Sequence, residues 1–320
     1  MRRREFIALL GAAATWPRMA HAQNAAMPVV GMLHMGSAAT DIDAAFDRSL
    51  AERGYVFGKN VTKEARWAQG DYGRLAELTK ELASLNPALI VAAGNVVALA
   101  ARRATSTVPI VFIIASDPVK IGLAKSFAHP GGNATGISML TAALALKRLE
   151  LIRELLPPLA TVGFLVNPDN KDLQQEIEEI ARSTGRSLEV ANARNLDDLE
   201  PAFAQLVRAK VGAVLVGNDA GFFSQRAQIV ALAKRHSLPA TYEFREFAAA
   251  GGLMSYGPSL AGALHKAGTY AALILKGAQP KDLPIEQPTA FELVINSTTA
   301  RSLGIQIPPS LLLRADEIIE

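Results

Sequence analysis

The sequence predicts an α/β protein of two similar lobes, each a doubly wound parallel sheet, joined by a hinge. Three observations lead there. Apolar runs of strand length alternate with helical patterns from residue 29 onward, as βα units on a parallel sheet require. The alternation restarts near residue 162 with nearly constant offsets: Val29 to Val162 is 133 residues, Ala88 to Ala213 is 125 and Pro109 to Pro239 is 130. The local wording also rhymes, VPIVF against LPATY and Gly131-Gly132-Asn133 against Gly251-Gly252-Leu253. A single ten-stranded sheet explains these offsets less well than two lobes of five strands.

Each element follows from its own signal. Residues 29–35 (VVGMLHM) form a buried-strand run ending in Gly36-Ser37, and 42–52 carry apolar residues at helical spacing up to Gly54. A strand over 61–67 and a helix over 72–84 follow. Residues 88–93 (ALIVAA) lead into Gly94-Asn95 and a helix through Arg103. Residues 108–115 (VPIVFIIA) end in Ser116-Asp117-Pro118, and 134–138 form a short fifth strand. In the second half the strands are 162–166, 188–191, 213–216, 239–242 and 253–255, with a helix over 173–184. An amphipathic helix over 259–275 stops at Lys276-Gly277. A strand over 291–295, a short helix over 298–303 and an apolar end over 311–319 complete the chain. The reading assigns 28–138 plus about 257–285 to the N-terminal lobe, and 139–256 plus about 286–320 to the C-terminal lobe.

Residues 1–22 read as an export signal. Arg2, Arg3 and Arg4 precede an apolar run of about ten residues, and Ala20-His21-Ala22 supplies a small-x-small cleavage pattern. The order Arg3-Arg4-Glu5-Phe6-Ile7 looks like a twin-arginine signal. The run is shorter than the ~20 residues that span a bilayer. The whole chain has 33 basic and 30 acidic side chains, and this segment holds four of the arginines and Glu5. The remainder is therefore balanced, with no bulk field to attract nucleic acid. The chain has no cysteine, which excludes disulfides, thiolate metal sites and a cysteine nucleophile.

Ligands of open α/β sheets bind beyond the carboxyl ends of the strands. Two facing lobes would line a cleft with those loops. The candidates are Ser37, Thr40, Asn95, Ser116 and Asp117 from the first lobe. The second contributes Asn167, Asn218, Asp219, Tyr242, Glu243, Glu246 and Tyr256. Hydroxyls, amides and carboxylates of this kind suit capture of a small polar molecule. The same residue types also serve as helix caps and turns. G-x-G-x-x-G, G-x-S-x-G and H-E-x-x-H are all missing, and Gly54 to Lys59 is one spacer short of a phosphate loop. The histidines after the signal (His34, His129, His236, His265) are far apart, so neither a metal nor another cofactor is expected.

The chain resembles the ABC-transporter substrate-binding family whose best-known members bind tryptophan. The resemblance rests on Ser116-Asp117-Pro118-Val119 with Gly122-Leu123 and on residues 129–136 (HPGGNATG). It also rests on 242–247 (YEFREF) running into 251–257 (GGLMSYG), on 284–296 (PIEQPTAFELVIN) and on 307–317 (IPPSLLLRADE). One departure is Asn95-Val96-Val97, where many relatives carry a small hydroxyl residue and proline. The resemblance implies a type I periplasmic-binding-protein fold of two flavodoxin-like lobes. It further implies a non-enzymatic, periplasmic, monomeric receptor that hands its cargo to an inner-membrane permease and its ATPase. In that reading, Ser37 and Asn95 hold an anionic group while Asp117, Asp219, Glu243 or Glu246 pairs with an amino group. A sensor of the same fold and an exported α/β enzyme are the alternative readings.

Overall fold

The computed structural model describes residues 27–36, 43–157, 161–184 and 188–320. The predicted signal and the candidates Ser37 and Thr40 lie outside the described residues. The first sheet holds β1 (Val29–His34), β2 (Thr62–Trp67), β3 (Leu89–Ala93), β4 (Ile110–Ile114) and β5 (Ala134–Ser138). All pairings are parallel, in the order β2-β1-β3-β4-β5. The second sheet repeats that order as β7-β6-β8-β9-β10. Its strands are β6 (Val162–Val166), β7 (Glu189–Asn192), β8 (Ala213–Val216), β9 (Ala240–Tyr242) and β10 (Met254–Gly257). The duplication inferred from sequence offsets is therefore a duplication of topology.

The expected five strands per lobe need one correction. β11 (Glu292–Asn296) pairs antiparallel with β10, and β12 (Glu317–Ile319) pairs with β11, so the second sheet has 7 strands. The two sheets thus protect corresponding edges differently. At β5 the edge is covered by a single extended segment, where Ser138 N–H donates to Glu286 O at 2.9 Å and Glu286 N–H to Gly136 O at 3.0 Å.

Helices cover both faces of each sheet, which is why β3, β4 and β6 are continuous apolar runs rather than alternating ones. The helices of the first half are α1 (Asp43–Glu52), α2 (Leu75–Ser84), α3 (Asn95–Ala104) and α4 (Ala145–Leu155). They are followed by α5 (Lys171–Thr184), α6 (Leu196–Arg208), α7 (Ala220–Ser224), α8 (Arg226–Arg235) and α9 (Arg245–Ala249). The last three are α10 (Leu260–Leu275), α11 (Ser297–Ser302) and α12 (Pro309–Leu312). Leu82 of α2 and Val97 and Ala101 of α3 pack with Leu33, Ile90 and Phe112 on one face of the first sheet. Phe46 and Leu50 of α1 and Tyr270 of α10 pack with Val30, Val91 and Val111 on the other. Gly268 lets α10 approach α1 closely, since a Cβ there would meet Phe46 O and Ser49 Cβ at 2.7 Å.

Although α10 follows a strand of the second sheet, it lies on the first. The chain crosses between the sheets three times, after β5, after β10 and before β11. None of the described helices is long and apolar enough to cross a membrane.

Candidate functional site

The carboxyl ends of the two sheets face each other across a cavity of about 140 Å³. Each strand contributes where its loop begins. β1 supplies Met32 to Gly36, β3 supplies Val91, Ala93 and Gly94, β4 supplies Ile113 to Ala115, and Met139 and Thr141 follow β5. Across the cleft stand Asn218, Asp219 and Ala220 after β8, Phe223 and Ser224 of α7, and Phe244 after β9. Leu260 and Leu264 of α10 close one side. The lining is mainly apolar, with His34, Asp43, Thr141, Asn218, Asp219 and Ser224 as its polar side chains.

His34 is the polar end of β1. It stacks on Trp67 of β2, with ring centroids 6.1 Å apart and planes at 14°. Burial pushes the His34 pKa down; the Asp43 carboxylate partly opposes this and Lys63 adds to it. The imidazole is therefore neutral near pH 7. Asp43, only 9% exposed, opens α1 and lines the same cavity.

Asp219 is the polar hub of the opposite wall. It caps α7, its Oδ1 accepting from Gly221 N–H at 2.9 Å and Phe222 N–H at 3.2 Å. Asn167 Nδ2 adds a bond at 3.4 Å to Oδ1, and Asn170 Nδ2 one at 3.0 Å to Oδ2. A fifth donor comes from the other lobe, the Tyr72 hydroxyl at 2.6 Å from Oδ2. Burial pushes the Asp219 pKa up, and these donors oppose that shift. Burial and the neighbouring carboxylate together hold the Tyr72 phenol well above its ordinary range, so it stays a donor. Asn218 ties the same wall to the first crossover through Nδ2 to Thr141 Oγ1 at 2.8 Å.

The structure sorts the sequence candidates. Asn218 and Asp219 line the main cavity, while Asn95 lines a small polar annexe beside it, bounded also by Tyr72, Gly94 and Asn170. The Asn95 side chain braces the loop after β4. Its Oδ1 accepts from Ala115 N–H at 2.9 Å, and its Nδ2 donates to Ser116 Oγ at 2.7 Å. It is therefore engaged with protein where an anion-holding role was expected. Asp117 accepts from Val119 N–H at 2.8 Å and forms a turn away from the cavity. Asn167 is fully buried and reaches the cleft only through Asp219.

Four other candidates lie off the cavity, which corrects their expected role in its lining. Tyr242 belongs to the core and stacks on Phe247 at 4.6 Å, because β9 is still a strand at that residue. Glu243 is buried against Arg148 of α4, at 3.4 Å. Glu246 sits in α9, where burial raises its pKa. Tyr256 stacks on Phe291 beside β11. The residues that sequence reasoning missed are Met32, Met35, Met139, Phe223 and Phe244, which resemble core positions, together with His34 and Asp43. Their one legible signal is position, at the ends of strands or the first turn of the next helix.

Comparison with known proteins gives a consistent setting. A family model for ABC transporter substrate binding protein matches residues 31–319. A tyrosine-binding protein of Clostridioides difficile is 26% identical over 264 residues, covering 82% of this chain and 76% of that one. A conserved domain protein of Vibrio cholerae has a TM-score of 0.81 at 26% identity, covering 91% of this chain and 99% of its own. The ABC domain of Streptococcus pneumoniae in complex with L-Trp has a TM-score of 0.78, also at 26% identity, with the same coverage. The repeated strand order and the segment-swapped helix α10 are those of the type I periplasmic-binding-protein fold. The chain belongs to the ABC transporter substrate-binding protein family.

Proposed function

We propose that the protein is the ligand receptor of an ABC importer and captures an amino acid with an aromatic side chain between its lobes. The observation that carries this reading is the cavity itself. Its roughly 140 Å³ matches the ~150 Å³ apolar site that accepts a benzene ring. Met32, Met139, Ile113, Phe223 and Phe244 line it and suit a ring, and the polar groups of the same lining receive the head group. The tyrosine-binding and L-Trp-bound relatives support the same ligand class.

In this mechanism the lobes are 28–138 with about 257–285 and 139–256 with about 286–320, and they rotate at the three crossovers. A ligand stabilises the closed form only by its differential affinity for it. Contacts from both walls, such as Met32 and Phe223, provide that difference. The closed protein then delivers its cargo to a membrane permease and its ATPase. Export by the N-terminal signal places this step in the periplasm, with the protein a monomer that performs no catalysis.

A thermal-shift panel of the twenty amino acids tests the reading. A cognate aromatic amino acid at ~100 times its dissociation constant stabilises the fold by ~2.7 kcal/mol. At ~2–4 °C per kcal/mol that is a rise of about 5–11 °C. A response to aliphatic or acidic amino acids alone overturns it.

A further inference from the structure

Phe223 of α7 lines the cavity and is held there by three neighbours. Its half-buried ring meets Phe244 at 5.8 Å between centroids, with planes at 81°, and Phe247 at 6.0 Å, with planes at 77°. Phe247 in turn stacks on Tyr242 in the core. Edge-to-face packing of this kind restricts the orientation of a ring as well as burying its area. Phe244 lines the cavity too, so this cluster forms its aromatic wall on the second lobe.

The third neighbour is a cation. Arg226 opens α8, and its guanidinium lies over the Phe223 ring, with Cζ 4.8 Å from the centroid. Its Nη1 also donates to the Phe223 main-chain oxygen at 3.2 Å. One side chain therefore grips both the ring and the backbone of the same residue, three positions earlier in the chain. Burial is the main influence raising the pKa of Glu246 in α9, and Arg226 is among the charges that oppose it. The guanidinium is thus also drawn toward the helix that carries Phe247. Arg226 does not itself line the cavity, so it bears on a ligand through Phe223.

We propose that Arg226 is a positioning residue of the ligand site, which clamps the Phe223 ring and so fixes the aromatic wall against which the ligand packs. This rests on the aromatic amino-acid reading above and deepens it, by naming a residue outside the cavity that sets its affinity. A ring already fixed in the binding orientation spares the ligand the cost of ordering it. Phe244 and Phe247 restrict the ring from the side of the core, and the cation over its face supplies the remaining hold. Without the guanidinium the ring gains orientations that the ligand must then exclude.

A double-mutant cycle read by calorimetric titration of the purified protein tests this. The probe is whichever of L-phenylalanine, L-tyrosine and L-tryptophan the wild-type protein binds most tightly. Arg226→Ala is expected to weaken its binding about five- to tenfold, the range of a partly desolvated cation–π contact. Arg226→Lys keeps a cation within reach of the ring and is expected to stay within about threefold of wild type. Phe223→Leu removes the ring and keeps an apolar side chain. In that background Arg226→Ala is expected to change affinity by less than about twofold. This coupling separates positioning from a general structural role, which costs the same in both backgrounds. Melting temperatures report the folding of each variant, and Phe223→Met replaces Phe223→Leu if the latter does not fold. If Arg226→Ala leaves affinity unchanged, or weakens it equally in both backgrounds, the inference is overturned while the receptor reading survives. If none of the three amino acids binds, the aromatic reading falls and the inference falls with it.

Discussion

The two walls of the cleft are built from equivalent strand ends and do different work. On the second-lobe wall the polar side chains are consumed by protein. Asp219 gathers Asn167, Asn170, two main-chain amides and Tyr72, while Asn218 holds Thr141. On the first-lobe wall the polar residues His34 and Asp43 line the cavity together with Met32, Val91 and Ile113. The duplicated topology therefore carries an asymmetric chemistry. One wall is a preorganised frame that also receives the opposite lobe through Tyr72, and the other brings mainly apolar side chains to the cavity. A hydrogen-bonded network rigidifies the backbone that carries it.

This contrast can be broken at its strongest point, the buried Arg148–Glu243 pair of the second lobe. Glu243→Gln removes the charge of one member of the buried Arg148–Glu243 pair and is expected to cost about 3–5 kcal/mol. At ~2–4 °C per kcal/mol the melting temperature falls by roughly 6–20 °C, while ligand affinity at low temperature is retained. A large affinity loss with an unchanged melting temperature would instead place Glu243 in the site.

Tyr72→Phe acts between the walls. It removes one hydrogen bond to a buried carboxylate, worth about 1.5–3 kcal/mol, without removing any group that lines the main cavity. The expected result is an affinity loss of at least about tenfold. An increased radius of gyration in solution scattering should accompany it, since the open form gains population. Equal affinity and equal radius would show that the Tyr72–Asp219 bond does not contribute to closure.

The smallest effect concerns His34. Its folded-state pKa is below the ordinary value, so the unfolded chain binds more protons in the interval between the two. The stability associated with neutral His34 is full above about pH 6.5 and declines as pH falls through that value. It levels off below the folded-state pKa. His34→Gln is therefore expected to flatten part of the fall in melting temperature between about pH 7.5 and 5.5. The charged groups bearing on this titration are Asp43 of α1 and Lys63 of β2. An identical pH profile in the variant would remove His34 from the account.

Much of the fold is legible along the chain because its signals are local. β5, β6 and β8 have ends that coincide with those read from sequence, and the restart at β6 is visible as an offset. The site is legible only in outline. Strand order places the loops at one end of each sheet, but an asparagine or aspartate at such a loop serves a cap, a turn or a ligand with the same side chain. Asn95 and Asp117 went to the protein, and no pattern in the sequence distinguishes them from Asn218. Conversely, Met32 and Met139 look like core residues and sit at the cavity, because apolar character is common to both roles.

The sequence by itself determined the α/β class, the duplication, the strand ends that face the cleft and the family resemblance. These depend on periodicity and motif, which short-range chemistry writes into the chain. Only the tertiary structure decided that Glu243 turns inward to Arg148, that Tyr72 reaches Asp219 across 147 residues, and that the cavity carries no cationic side chain among its described residues. Each of these depends on which side chains meet after two sheets are wound and brought together. That convergence is a property of packing between distant segments, and the order of residues along the chain does not contain it.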